Sequence, residues 1–372
     1  MGRVLVLGRG ASGKAAEAMF RAEGRDVDVA DGCDLVVASP GIRVVSELQA
    51  GCEELKRRSW RLLAVTGSKG KSSVVKAVAD GLRLAGVRAV ACGNYGTPVC
   101  EVAMSDAPSG PAWGVVEVSS FMMETTSLGP EAFEAAALLN LQEDHLDRHG
   151  SAAAYHSLKR RLLSMSACPR DFSSVSADAA RAEAGTLFAG SYFDNDVLAA
   201  NGLAAAWLMR EAGLDDAAVR RAFASFEPLP HRFQLVAEID GVRFVDDSKA
   251  TSIAALAAGV TMAGGGVRLI AGGLLKGDDP SAAEPVLTRR VKKVYLIGKG
   301  AEALAAAWRG TVDCEICGTL ERAVAGARRD AARGETVLLS PGAASFDQFQ
   351  SFGERGDVFA GLVKVKKEGT DK

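Results

Sequence analysis

Leu62-Leu63-Ala64-Val65-Thr66-Gly67-Ser68-Lys69-Gly70-Lys71-Ser72-Ser73 decides how this chain is to be read. Leu62–Val65 is a short apolar run of buried-strand type. Thr66–Lys71 is a glycine-rich turn, and Ser72–Leu84 continues as a helix. A strand that passes through glycines into a helix opens a βαβ unit. The turn also carries chemistry. Gly67, Ser68, Lys69 and Gly70 can aim backbone N–H groups at a phosphate, Lys71 can reach the outer phosphates, and the Ser72 hydroxyl can ligate Mg²⁺. The string departs from a full Walker A loop because its first glycine comes two positions late, with Val65 in the expected place. A lysine in an ordinary glycine turn is the plainer alternative, and the flanking strand and helix weigh against it.

The same alternation of short apolar runs and Ala-rich amphipathic stretches extends in both directions, with no fixed repeat. It predicts an α/β protein with parallel sheets in three blocks. In residues 1–58, Arg3–Gly8, Asp26–Ala30 and Leu35–Ala38 read as strands, and Ser12–Glu23 and Val44–Arg58 as helical. In residues 59–228, Val115–Val118 and Ala135–Leu139 are candidate core strands, with helices at Ser151–Ser164 and Leu198–Glu211. Pro228 and Pro230 mark the next boundary. In residues 229–372, Asp240-Gly241 between Gln234–Ile239 and Val242–Val245 is a hairpin signal. Val267–Ala271, Lys293–Ile297 and Glu335–Leu339 follow as strands of another sheet. The charged tail from Lys364 is expected to fray.

Composition narrows the class. The 372 residues, 48% of them hydrophobic, suffice for several cores at about 150 residues per domain. Lys and Arg total 44 against 46 Asp and Glu, so no basic excess points to a nucleic-acid partner. No apolar run reaches membrane-spanning length. The opening MGRVLVLGRG lacks the regions of a signal peptide. The seven cysteines are scattered, which suits reduced thiols in a cytoplasmic protein. Cys314-Glu315-Ile316-Cys317 has no second ligand pair and reads as two ordinary thiols in a strand.

Other candidate sites also sit after strands. Gly8-Arg9-Gly10-Ala11-Ser12-Gly13 fits G-x-G-x-x-G, with Asp31 at ribose distance; a ligand-free βα turn fits equally. Glu117 ends an apolar run, where a carboxylate suits a phosphate-bridging Mg²⁺ or is a plain strand-end acid. Asn140–His149 is unusually polar for a strand end. Asp246–Ser252, Gly272–Gly277 and Ser340–Ser345 follow strands in the third block, and loops at equivalent edges suggest a shared cleft. Lys159, beside Arg160 and Arg161, reads locally as part of a solvated basic face.

The ordered strings VTGSKGKSS (65–73), CGNYGTPV (92–99), VVEVSSFMME (115–124), LNLQEDHLDRH (139–149), LPHRFQLV (229–236), VDDSKATS (245–252) and LLSPGAASFDQFQSFGERG (338–356) resemble the Mur ligases of peptidoglycan synthesis. Within them, SFDQF points to the D-glutamate-adding branch. The resemblance implies a Rossmann-like N-terminal domain at 1–58 for a UDP substrate, a central P-loop-type ATPase domain at 59–228, and a Rossmann-like C-terminal domain at 229–372 for an amino acid. It implies ATP-dependent amide ligation of D-glutamate to UDP-N-acetylmuramoyl-L-alanine through an acyl phosphate, in a monomer with no nucleic-acid or membrane partner. Gly67, Ser68, Lys69, Gly70, Lys71, Ser72 and Ser73 would hold ATP, with Asn201, Arg232 and Asp247 toward its base and ribose. Ser72, Glu117, His145 and a carbamylated Lys159 would hold Mg²⁺. Gly10, Ser12, Asp31 and Gly41 would line the UDP site, and Asn94 and Ser119 would contact substrate. Lys249, Thr251, Lys276, Ser345, Phe346 and Phe352 would surround D-glutamate.

The chain departs from the family at several points. Lys69 stands where Asn is frequent, Leu198 where Asn is expected, and Leu275 where a small or acidic residue precedes the lysine. The first block is short. Rival readings are a related ligase of Mur or folylpolyglutamate type with another amino acid, a nicotinamide-dependent oxidoreductase built on the first glycine turn, and a nucleotide-binding module without activity.

Overall fold

In the computed structural model, which describes residues 3–31, 44–105 and 112–364, the strand expected before the phosphate-binding turn is flanked on both sides by other strands. Gly41 and the expected strand Leu35–Ala38 lie outside the described residues, as does the tail beyond Lys364. The chain separates between Phe226 and Glu227 into two units, and each is described by itself.

In the first unit, β1 (Val4–Leu7) and β2 (Val27–Ala30) pair in parallel around helix α1 (Ala11–Ala22). The glycine turn between β1 and α1 is sterically demanded. A Cβ on Gly13 would sit 2.0 Å from the Gly8 carbonyl oxygen, and Gly8 itself has φ +97°. Helix α2 (Glu47–Arg57) leads to β3 (Arg61–Thr66), which feeds the phosphate loop and helix α3 (Lys71–Leu84). β4 (Arg88–Gly93), α4 (Val99–Met104), β5 (Ala112–Glu117), β6 (Phe133–Leu138) and β7 (Ser166–Asp171) complete a five-stranded sheet in the order β4–β5–β3–β6–β7, every pair parallel.

Leu62–Val65 of β3 and Ala112–Val116 of β5 form continuous buried runs without charge because helices cover both faces. Val74, Val75, Val78 and Leu82 of α3 are fully buried, each contributing about 1.5–3 kcal/mol of transfer free energy. Elsewhere Met19 of α1, Leu48 and Leu55 of α2, Cys100 and Ala103 of α4, and Leu62 and Val116 of the sheet share one cluster. Two strands carry little strand signal. β4 reads Arg-Ala-Val-Ala-Cys-Gly, and β7 contains Pro169, which an edge strand tolerates. The helix expected over Ser151–Ser164 is an α-helix at Ala152–Arg160 followed by a 3₁₀ turn at Arg161–Met165.

The second unit holds six strands, β8 (Gln234–Ile239), β9 (Val242–Asp246), β10 (Val267–Gly272), β11 (Val291–Ile297), β12 (Cys314–Gly318) and β13 (Thr336–Leu339), in the order β12–β11–β10–β13–β9–β8. Only β8 is antiparallel to its neighbour. The expected hairpin is present: Asp240 and Gly241 have φ +55° and +77°, the two left-handed positions of a type I′ turn. One face buries Leu256, Val260, Leu304 and Trp308, and the other Val324, Ala327, Phe359 and Val363. Cys314 and Cys317 are free thiols on β12.

Candidate functional site

The parallel order brings four strand ends of the first unit to one edge. Asn94 follows β4, Glu117 ends β5, the phosphate loop follows β3, and Asn140 lies just after β6. The loop is braced from its neighbours. Thr66 Oγ1 donates to the Val118 carbonyl at 2.8 Å. Ser68 Oγ accepts from the Gln142 N–H at 2.9 Å and donates to its carbonyl at 3.0 Å. Tyr155 OH donates to Ser68 Oγ at 3.2 Å. Gly67 and Gly70 have φ +152° and +84°; a Cβ on Gly70 would stand 2.2 Å from Asn201 Nδ2, so the buried Asn201 backs the loop directly. Ser72 and Ser73 begin α3, with Ser73 buried. Such a turn offers backbone N–H groups and a helix N-terminus to an anion.

Two lysines converge beneath this turn. Lys71 Nζ donates to the Gly67 and Ser68 carbonyls at 2.8 and 3.2 Å, and Lys159 Nζ donates to the same Gly67 carbonyl at 2.9 Å. Lys159 is 1% exposed and sits 4.6 Å from the centre of the Tyr155 ring. Its local reading as a solvated basic residue is therefore wrong: the helix turns this one lysine inward, while Arg160 stays exposed. Burial, then the Lys71 charge, pushes the Lys159 ammonium down to about 7, against the pull of Asp144 and Glu117. Near neutral pH a large fraction of the amine is therefore unprotonated and nucleophilic.

Glu117 is 2% exposed. Its Oε1 accepts from Asn94 Nδ2 at 2.8 Å, and its Oε2 is buried with no partner among the described residues. A buried carboxylate oxygen without a donor, beside a phosphate-type loop, fits a cation ligand. His145 caps the short helix Leu146–His149, with φ +52°. It is exposed and edge-on to Phe121, with ring centres 5.0 Å apart. Ser119 caps the helix Ser120–Glu124, accepting from the Met122 N–H at 3.3 Å. Among the described residues no three His, Cys, Asp or Glu side chains form a ready-made metal cluster. In the first glycine turn, Gly10 is the N-cap of α1, Ser12 is exposed on its first turn, and Asp31 follows β2.

In the second unit, the loops after β9, β10 and β13 share one edge. Lys249 Nζ lies 3.9 Å from the Phe352 ring centre. Burial, then Arg232 and Lys276, lowers its ammonium below the usual range. Lys276 Nζ reaches Thr251 Oγ1 at 3.5 Å. Ser345 is buried, whereas the neighbouring Phe346 is 69% exposed. Asp247 accepts from Phe233 N–H at 3.1 Å and Ser340 Oγ at 2.8 Å, with Oδ2 so close to Gly259 that a Cβ there would stand 2.6 Å away. Its carboxyl is raised to about 7, chiefly by desolvation.

The structure adds residues that sequence reasoning passed over. Asn140 clamps the backbone of Lys69, Tyr155 supports Ser68, and His231 Nδ1 meets Asp246 Oδ2 at 2.7 Å. Arg355, wholly buried, donates to Ser248 Oγ and to the Ser248 and Ala343 carbonyls. Each lies inside a string quoted above or, for Tyr155, one helical turn before Lys159, and that spacing was the available signal.

A parallel sheet with a glycine–lysine–serine loop, a buried amine and an unpartnered carboxylate at its carboxyl edge defines a phosphate-binding α/β protein of the mononucleotide class. The Mur ligase middle domain matches residues 65–184 and the Mur ligase glutamate ligase domain residues 231–343. The chain belongs to the Mur ligase family. It is 36% identical over 339 residues to the UDP-N-acetylmuramoylalanine–D-glutamate ligase of Nitratidesulfovibrio vulgaris, covering 88% of this chain and 77% of that protein. It is 34% identical over 454 residues to the enzyme of that name from Myxococcus xanthus, covering 98% of each. Among solved structures, the fold is similar to UDP-N-acetylmuramate-alanine ligase from Thermotoga maritima, with TM-score 0.60 and 14% identity over 97% of this chain and 99% of that one. It is also similar to the MurF ligase of that organism in complex with ADP, with TM-score 0.59 and 15% identity over 97% and 94%. Among the described residues no helix is long and apolar enough to cross a membrane.

Proposed function

We infer that this chain is an ATP-dependent amide ligase that adds D-glutamate to UDP-N-acetylmuramoyl-L-alanine in cytoplasmic peptidoglycan precursor synthesis. The reading rests most on one observation: Lys71, Lys159 and Glu117 meet around the Gly67 turn. Relatives named for D-glutamate addition support the choice of amino acid.

The reaction solves a problem of leaving groups. A carboxylate resists attack by an amine, so the L-alanyl carboxylate first attacks the γ-phosphorus of ATP. The bond from that phosphorus to the bridging oxygen breaks, and ADP leaves. The D-glutamate amine then attacks the acyl carbon, phosphate departs, and the amine loses a proton. Lys71 and the loop N–H groups would stabilise charge accumulating on the transferring phosphoryl group. Glu117, Ser72, His145 and Lys159 as a carbamate would hold Mg²⁺, and the unpartnered Glu117 Oε2 fits that role. When bound, the ion would supply positive charge to the phosphates. The lowered Lys159 ammonium supplies the neutral amine that carbamylation by CO₂ requires.

Residues 1–58 would hold the UDP end through Gly10, Ser12, Asp31 and Gly41, with Asn94 and Ser119 toward the muramoyl side. Residues 59–228 would hold ATP, with Asn201 behind the loop. That last segment would bind D-glutamate through Lys249, Thr251, Lys276, Ser345, Phe346 and Phe352. The protein would act as a monomer.

The test is orthophosphate release together with mass-spectrometric detection of the peptide product, with UDP-N-acetylmuramoyl-L-alanine, ATP and Mg²⁺. D-glutamate should support both signals, and L-glutamate, L-alanine, L-lysine and diaminopimelate should not. Product formation with one of the others alone would move the assignment to another ligase, and no product with any would end it.

A further inference from the structure

Lys69 is one of three lysines around the phosphate loop, with Lys71 of the loop and Lys159 of the helix Ala152–Arg160, and the structure treats it differently from the other two. Lys71 and Lys159 both direct their ammonium groups at the Gly67 carbonyl. Lys69 points away from that carbonyl. Its peptide is held on both sides by one side chain: the Lys69 N–H donates to Asn140 Oδ1 at 2.9 Å, and Asn140 Nδ2 donates to the Lys69 carbonyl at 2.9 Å. That clamp fixes where the side chain leaves the loop. From there Nζ reaches Asp144 Oδ2 at 3.1 Å, with the lysine side chain 58% exposed and the aspartate side chain 29% exposed.

Asp144 is a restrained partner. Its Oδ2 accepts from Lys69 Nζ, and its Oδ1 accepts from the His145 N–H at 3.1 Å. This pairing holds Lys69 at the rim of the loop. An exposed pair of this kind is weak and salt-screened. A terminal phosphate bears more charge than a carboxylate and offers several acceptor oxygens, so it outcompetes Asp144 if it lies within reach. In a strand–loop–helix cradle the inner phosphates lie over the helix N-terminus, here Lys71–Ser73. The outer one lies toward the neighbouring strand ends, and the β6 end carries both Asn140 and Asp144.

We propose that Lys69 exchanges Asp144 for the outermost phosphate of a bound nucleoside triphosphate, so that this side chain discriminates triphosphate from diphosphate. The proposal rests on the nucleotide reading of the loop. The exchange breaks and forms only ion pairs. Asp144 serves as a parking partner that keeps the ammonium extended and correctly aimed while the loop is empty.

Calorimetric binding of ADP and of the β,γ-imido analogue of ATP, each with Mg²⁺, tests it on the full chain and on K69Q and D144N at two salt concentrations. K69Q should weaken the triphosphate analogue by about 5–20-fold and ADP by less than about 2-fold, and flatten the salt dependence of the triphosphate alone. D144N, which removes the competitor, should bind the triphosphate analogue as tightly as the wild type or more so. Thermal melting of the ligand-free variants should stay close to the wild type, since a solvent-screened pair of this kind contributes little stability and each replacement keeps a polar side chain of similar size. An unchanged triphosphate-to-diphosphate ratio in K69Q would overturn the exchange. So would a D144N that loses triphosphate affinity as K69Q does, because Asp144 would then be a support. A wild-type chain that binds neither nucleotide would instead defeat the nucleotide reading itself.

Discussion

Lys159 and Arg355 are both buried cations at the carboxyl edge of a parallel sheet, and they differ in what surrounds them. Arg355 donates to Ser248 Oγ, the Ser248 carbonyl and the Ala343 carbonyl, so one guanidinium ties the loop after β9 to the loop after β13. Lys159 shares one carbonyl with a second ammonium, while the nearby Glu117 has an oxygen with no donor among the described residues. The second unit answers its buried charge internally, and the first leaves charge unanswered. Groups left in conflict inside a folded protein cost stability, and they persist where a ligand resolves them. The first edge is thus the better candidate for chemistry, and the Arg355 network for scaffolding.

The largest expected effect comes from Lys71. K71A should lower kcat for ligation by about 10²–10³-fold or more, because the phosphates lose the cation at the helix N-terminus that offsets charge during phosphoryl transfer. The thermal midpoint should hold or rise, since a like charge beside Lys159 is removed. Steady-state phosphate release and a melting curve check both halves. Turnover within ten-fold of wild type would place the chemistry elsewhere.

R355A should do the reverse, through stability. It leaves buried acceptors without donors and opens a cavity, a combination worth about 3–5 kcal/mol. Urea unfolding of the full chain measures it. R355K should fall between the two, because lysine keeps the charge and loses the planar fork. A loss under about 1 kcal/mol in R355A would remove the contrast between the edges.

Much of this contrast was legible in the residues, and the illegible part has a physical reason. The phosphate loop, the end of β5 and the Asp240-Gly241 hairpin announce themselves through glycine placement and apolar runs, which are local signals. Lys159 does not. Its neighbours Arg160 and Arg161 give a basic helix face, and only the packing of that helix against the loop shows which cation turns inward. Arg355 is hidden in the same way, because its acceptors Ser248 and Ala343 are 107 and 12 residues away in sequence. β4 and β7 were equally obscure, since their residues are small, polar or proline and take strand form from neighbours rather than from propensity. The family resemblance nominated Lys159, but the residues around it did not.

A third variant sharpens the comparison through pH. The Lys159 ammonium falls from its ordinary 10.5 to about 7 in the folded protein, so between these values the unfolded chain binds one more proton and stability rises with pH. Below about pH 7 the folded state carries the full cost of the buried charge. K159M should therefore be more stable than wild type by about 2–4 kcal/mol at pH 6, at about 1.4 kcal/mol per pH unit of proton difference, with the gain vanishing near pH 10.5. The measurement needs CO₂-free buffer, since a carbamate would change the charge. A gain that is flat across this range would show that lost packing, rather than lost charge, governs the variant.

The smallest effect tests whether the second edge is as settled as Arg355 suggests. Among the described residues Asp247 is its one carboxylate held against its charge, raised from 3.8 to about 7 mainly by desolvation. A raised acid contributes stability below its unfolded value and loses it as pH rises through the folded one. In the wild type that contribution is complete below about pH 4 and gone above about pH 7. D247N keeps an acceptor for the Phe233 N–H and can donate to Ser340 Oγ, yet cannot ionise. It should match the wild type near pH 4 and exceed it by about 1–2 kcal/mol at pH 8, a figure reduced because the residue is partly open to solvent. If D247N is instead the weaker protein at pH 8, ionised Asp247 is stabilised by its surroundings. The two edges would then differ in degree rather than in kind.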